Sequence, residues 1–171
     1  RCISFLTYFG DGLTPRDLRE PMGLYIYGCD RCQNVCPRNS AWLAADLPLN
    51  KKVVGKTPVF DLSKLLAMDT AYFESRVWPH MFYMSKDDLW RWKMNVARAM
   101  GNTRDRGYTA DLVQAMKTND DDRVQAMAAW ALGRIGGATA VKSLRACASR
   151  SKGALAEEIE LALDAANQLC N

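Results

Sequence analysis

The sequence predicts a mainly α chain in two unequal parts: a short cysteine-rich half-domain, then a helical-repeat domain. Three observations carry this. Four of the six cysteines fall within the first 36 residues. From Ser85 onward, apolar residues recur at the spacing of amphipathic helices. Within that helical half the chain repeats itself: Ala97-Arg98-Ala99-Met100-Gly101 matches Ala129-Trp130-Ala131-Leu132-Gly133 at an offset of 32, and Leu112 falls on Leu144. The expected segments are 1–39, a partial metal-cluster domain, 40–84, a connector with short helices, and 85–171, the repeats.

Composition narrows the functional classes. With 49% hydrophobic and 25% charged residues, the 171-residue chain can bury a core. A net charge of +4 permits contact with nucleic acid without arguing for it, since no dense Lys/Arg stripe is present. No apolar run approaches the roughly 18 residues of a membrane span, and no signal-peptide pattern appears, so no membrane partner is expected. Cys147 and Cys170 sit singly in helical patterns. Such usage suits a metal site in a reducing cytoplasm better than a disulfide scaffold. Beginning at Arg1, the chain reads as a piece of something longer.

Taken in order, residues 1–12 close on the turn signal Gly10-Asp11-Gly12. Thr14-Pro15-Arg16-Asp17 reads as a helix start, with Thr14 as the cap and Pro15 in the first helical position. That helix runs to about Met22 and stops at Gly23. Leu24-Tyr25-Ile26-Tyr27-Gly28 leads into Cys29-Asp30-Arg31-Cys32-Gln33-Asn34-Val35-Cys36-Pro37, a C-x2-C-x3-C-P run. Two intervening residues let one loop place Cys29 and Cys32 on the same cluster. The longer step turns Cys36 away, and Pro37 ends the loop where no backbone N–H is needed. In the two-cluster ferredoxin run C-x2-C-x2-C-x3-C-P, the last cysteine serves the other cluster. Only the second half of such a run is present, so the ligand set is short. A zinc knuckle or a redox C-x2-C pair competes, and the Cys-Pro ending favours iron–sulfur.

From Asn39 to Pro58 the chain reads as an ordered connector on the surface, because Trp42, Leu43, Leu47 and Val53 need something to pack on. Lys51, Lys52 and Lys56 read as a solvated face rather than a phosphate site. Asp61 and Asp69 are expected to cap helices. The aromatic stretch Val77–Met84 holds the only histidine, His80, read as a packed, hydrogen-bonded residue rather than a ligand. Ser85 with Asp88 is a cap signature of the capping-box type. Each repeat is expected to be a helix, a glycine turn (Gly101-Asn102, then Gly133 to Gly137) and a second helix. A weaker third copy sets Ile159-Glu160-Leu161 on Val124-Gln125-Ala126 at an offset of 35. This is the pattern of a HEAT-like solenoid. Asn119-Asp120-Asp121-Asp122 lacks the glycine and glutamate of a calcium loop and reads as a cap. Trp90 and Trp92 read as core or groove lining.

Cys2-Ile3-Ser4-Phe5-Leu6-Thr7, then Tyr27-Gly28-Cys29-Asp30-Arg31-Cys32-Gln33-Asn34-Val35-Cys36-Pro37-Arg38-Asn39, then the HEAT-like tail, resemble epoxyqueuosine reductases. The resemblance implies a cobalamin domain, a two-cluster ferredoxin-like domain and C-terminal HEAT-like repeats, acting together to reduce epoxyqueuosine to queuosine in a tRNA anticodon loop. It implies that Cys2, Cys29 and Cys32 ligate one 4Fe–4S cluster with a fourth cysteine from upstream, and that Cys36 ligates a second. Cobalamin belongs to the upstream domain, and no catalytic residue is implied here. The chain is then the electron-transfer and substrate-binding portion of an oxidoreductase, inactive alone, with tRNA and an electron donor as partners. The stretches Trp78–Met84 and Asp87–Lys93 are less basic than the family's pattern before its first repeat, which lowers their expected share of tRNA contact. The alternative is a HEAT-repeat module that binds protein or RNA, with a structural metal site and no catalysis. Hydrolytic or group-transfer chemistry is not expected, since there is one histidine, no Walker loop and no G-x-G-x-x-G.

Overall fold

A computed structural model describes residues 2–81 and 83–169, and Cys170 lies outside them. The elements are α1 (Ile3–Tyr8), α2 (Arg16–Arg19), α3 (Arg31–Asn34), α4 (Ser40–Ala44), α5 (Lys51–Val54), α6 (Leu62–Ala67) and α7 (Thr70–Tyr72). After them come α8 (Leu89–Thr103), α9 (Thr109–Thr118), α10 (Asp122–Ile135), α11 (Ala138–Ala148) and α12 (Gly153–Gln168). The described residues form no β-strand.

The five long helices build the expected repeats. α8, α10 and α12 lie side by side as one layer, and α9 and α11 cover them. α6 packs on both α8 and α9 and extends the covering layer at its N-terminal end. Val96, Met100, Leu112, Val124, Met127, Leu132, Leu144 and Ile159 are buried between the layers in one continuous core. Each such side chain contributes about 1.5–3 kcal/mol through removal from water.

The repeat's glycines do a different job from the turns expected of them. Gly101 lies inside α8 and Gly133 inside α10. A Cβ on Gly101 would fall 2.8 Å from the Cα of Ala131, and one on Gly133 would fall 2.7 Å from the carbonyl oxygen of Ala162. They are the points where neighbouring helices touch backbone to backbone. Arg104, in the left-handed region at φ 56°, ends α8, while Gly136 and Gly137 turn the chain after α10. The glycine–alanine contact also fixes the third repeat. Ala162 stands where Ala131 stands, an offset of 31 and not 35. Both readings keep the same helical face, because they differ by about one turn.

Caps were legible with two exceptions. Asp61 accepts from the Lys64 N–H at 3.1 Å, Asp69 from Tyr72 at 2.7 Å, and Asp121 from Arg123 at 2.9 Å. Ser85, however, accepts from Asp87 and caps the short turn Lys86–Asp88 ahead of α8. Pro15, not Thr14, precedes α2, and Thr14 is buried with its carbonyl used by Arg19.

Two further expectations are corrected. Trp42, Leu43, Leu47 and Val53 find no cover: residues 40–58 are all exposed. His80 is exposed rather than packed, with the Phe60 ring centroid 6.2 Å away. Trp92 is buried as core, and Trp90 is half-buried beneath the Arg91 and Arg123 guanidiniums.

Replacing Gly133 by Ala adds about 1 kcal/mol of helix propensity but drives a methyl into the backbone of α12. Overpacking of that kind costs about 1–3 kcal/mol, and backbone cannot swing aside. Gly133→Ala is therefore expected to be net destabilising by about 1–2 kcal/mol in denaturant unfolding.

Candidate metal centre

The four cysteines of the N-terminal segment sit on short elements tied to one another. Cys2 is the residue before α1, and the Phe5 backbone N–H in its first turn draws the thiol's pKa below the ordinary value. Cys29 follows Gly28, whose φ of 74° is open to glycine and strained for other residues. The Gly28 N–H donates to Thr7 Oγ at 3.1 Å, and that hydroxyl donates to the Ser4 carbonyl at 3.0 Å. These two bonds hold the cysteine loop against α1. The Tyr8 hydroxyl closes the gap, 2.5 Å from where a Gly28 Cβ would stand. Cys32 lies in α3, and Cys36 precedes the turn Pro37–Asn39. Asn39 Nδ2 stitches that turn back to Gln33 through its carbonyl and its Oε1.

All four thiols are free; Cys2 and Cys32 are exposed, and Cys29 and Cys36 half-buried. They are not gathered into one centre. Among the described residues, no group of three or more Cys, His, Asp or Glu is placed to hold a metal ion. The donor set is right in kind for an iron–sulfur cluster, being all thiol, but neither its number nor its arrangement completes one within this chain. Cys147 is buried in α11, away from this set in the chain.

The sequence reading missed what holds this segment in place. Arg91, Asn95, Arg98 and Asn102 form one stripe of α8, and each donates to main-chain carbonyls of the cysteine-rich segment. Arg91 reaches the Gly10 carbonyl, and Asn95 the Thr7 carbonyl at 3.2 Å. Arg98 donates to the carbonyls of Gly23, at 2.8 Å, and Tyr25. Asn102 donates to those of Arg19 and Gly23, both at 2.8 Å. Arg98 is fully buried with no carboxylate beside it; burial lowers its pKa to about 10, so it stays charged at neutral pH. The only trace in the sequence is a spacing of polar residues through an otherwise apolar helix.

α10 and α12 complete this platform. Buried Arg19 donates to the Thr14 carbonyl at 2.7 Å and clasps Glu158 of α12 through two bonds of 2.9 and 2.8 Å. Arg16 joins the same carboxylate at 2.6 Å. Arg134 of α10 clasps Glu20 at 2.9 and 2.7 Å, and both Arg19 and Arg134 lie 5.7 Å from the Trp130 ring centroid. Burial pushes the Glu158 pKa up, but the bonds and charges of Arg19 and Arg16 outweigh it and leave the carboxyl below its ordinary value. Beside the cysteine-rich segment, Tyr27 stacks on Trp92 with centroids 5.6 Å apart, and Tyr8 packs tilted on Tyr27 at 4.4 Å.

Two tests follow from this platform. Arg98→Ala removes the side-chain donor to the Tyr25 carbonyl and one of two donors to that of Gly23, and is expected to cost about 2–4 kcal/mol. Amide hydrogen exchange should show the loss concentrated at residues 23–28. Because the Glu158 pKa is depressed in the folded protein, its stabilisation is whole above the ordinary carboxylate value of 4.5 and is lost as pH falls below it. Acid titration should therefore weaken the wild type below about pH 4.5, and Glu158→Gln should show a shallower loss there.

Comparisons with known proteins agree with this architecture. A family model described as HEAT repeats matches residues 82–164. The epoxyqueuosine reductase of Xanthomonas campestris pv. campestris is 32% identical over 136 residues, covering 80% of this chain and 38% of the relative. That of Alicycliphilus denitrificans is 36% identical over 141 residues, covering 77% and 38%. A solved epoxyqueuosine reductase superposes with a TM-score of 0.80 at 27% identity, over 97% of this chain and 44% of that one. Another, solved with an epoxyqueuosine-modified tRNA-Tyr stem loop, gives 0.77 at 28% identity, over 98% and 44%. The chain spans about two-fifths of the length of the curated relatives it matches. By sequence over most of its length and by fold over nearly all of it, the chain is a homologue of the epoxyqueuosine reductases and corresponds to their C-terminal part.

Proposed function

We propose that the chain is the iron–sulfur and substrate-holding portion of a reductase that converts epoxyqueuosine to queuosine in tRNA. The observation that carries the reading is the likeness, over 98% of the chain at 28% identity, to the reductase solved with a modified tRNA stem loop. Cys2, Cys29 and Cys32 ligate one 4Fe–4S cluster together with a cysteine of the upstream domain, and Cys36 ligates a second cluster whose other ligands are also upstream. Clusters of this kind supply single-electron transfer from an external donor, and the upstream domain holds the cobalamin. The residues of this chain hold the cysteine loop against the repeats. Two features support that role: the Thr7–Gly28 contact, and the four α8 side chains that grip residues 7–25.

The test uses the full-length protein purified without oxygen. About eight irons and eight sulfides per chain, lost in part on Cys36→Ala, are expected, with conversion of epoxyqueuosine to queuosine read by mass spectrometry of the tRNA. Zinc alone, or no metal and no conversion, would overturn the reading and move the function to the repeat surface.

A further inference from the structure

Positive charge is unevenly spread along this chain. Residues 31–64 carry six Lys/Arg against two Asp/Glu, while the remaining residues carry seventeen of each, so this stretch holds the whole excess of +4. In the fold, four of these six cations stand free among the described residues. The side chains of Arg38, Lys51, Lys52 and Lys56 make no ion pair and no hydrogen bond among the described residues, whereas six other arginines are paired with carboxylates. Residues 40–58 are exposed without a break. Trp42, 72% exposed, lies between Arg38 and Lys51 in the chain, as do Leu47 and Leu49. From sequence alone, the lysines read as a solvated face. The structure adds that the lysine side chains have no ion pair among the described residues, and that the indole of Trp42, just upstream of them in the chain, is uncovered.

We infer that residues 38–56 form an RNA-binding arm, with Arg38, Lys51, Lys52 and Lys56 on phosphates and Trp42 on a base. This rests on the proposed tRNA reading and names a surface for it. The chemistry is that of strand binding in general: unpaired cations follow the backbone, and an exposed aromatic offers a stacking face. Position agrees, since the arm starts two residues after Cys36, and an RNA held there lies next to the cysteine-rich segment. Charge favours RNA over a protein partner, because an apolar protein contact would bury these lysines unpaired.

The experiment measures binding of an epoxyqueuosine-bearing tRNA stem loop to the full-length protein across a salt series. The triple variant Lys51→Glu, Lys52→Glu, Lys56→Glu should bind at least about tenfold more weakly near 150 mM salt. Its slope of log affinity against log salt should fall by about 2–3. Trp42→Ala should lose about 5- to 100-fold, and Lys→Arg at the three positions should restore binding. Circular dichroism and iron content should stay at wild-type levels, as expected for exposed positions. Unchanged RNA affinity and slope in the triple variant, with the wild type binding, would overturn the arm and leave the tRNA reading standing. Weaker binding accompanied by lost iron or lost folding would also overturn the arm and assign these residues to a contact within the protein instead. A wild type that fails to bind the stem loop would overturn both.

Discussion

A buried guanidinium held by main-chain carbonyls is the interaction on which this structure turns. Arg98 sits in α8 with the carbonyls of Gly23 and Tyr25 as partners and no carboxylate beside it. Burying a charge is costly unless its hydrogen bonds are made; two carbonyl acceptors take the terminal nitrogens of Arg98, while its Nε has no partner among the described residues. The segment it grips cannot hold itself. Among residues 2–39, only Thr7, Thr14, Arg19, Met22 and Gly28 are buried, and just one of those is a large apolar side chain. With so little core of its own, the cysteine-rich segment takes its shape from donors on the repeats. Backbone carbonyls are acceptors whatever side chain they carry, so this grip reads the path of the chain rather than its residues.

The platform exists because the helices beneath it come close. Gly101 against Ala131, and Gly133 against Ala162, bring α8, α10 and α12 into backbone contact. That spacing lets Arg98, Arg134 and Glu158, from the three helices of one layer, address the single segment 16–25. The charges there are spent in pairs: Arg19 and Arg16 on Glu158, Arg134 on Glu20. The connector is the opposite case, with cations and apolar side chains both facing outward. The molecule thus separates an inner contact, whose cations are held by carboxylates or main-chain carbonyls, from an outer one, whose Arg38, Lys51, Lys52 and Lys56 side chains have no partner among the described residues.

Periodicity and spacing are local properties, so they were legible without a structure. The helical repeats and the caps at Asp61, Asp69 and Asp121 each depend on residues within a turn or two of one another. The same holds for the C-x2-C-x3-C-P run and the likeness it carried. By contrast, the helix expected to run to Met22 ends at Arg19. The reading went astray where the reason for a residue lay elsewhere in the chain. Gly101 and Gly133 look like turn residues until the neighbouring helix is seen against them. Trp42 and Leu47 look as though they must be packed, but hydrophobicity states a preference for burial and supplies no partner.

The sequence by itself determined that the chain is α-helical and that its second half repeats, because these follow from local propensity and from fixed spacing. Only the tertiary structure decided which face of α8 is polar for a purpose. It also decided which small residues set the distance between helices, and which cations are left without a partner. Those depend on contacts between residues about 30 to 140 positions apart, and no local pattern encodes which of many equivalent donors will meet a given carbonyl.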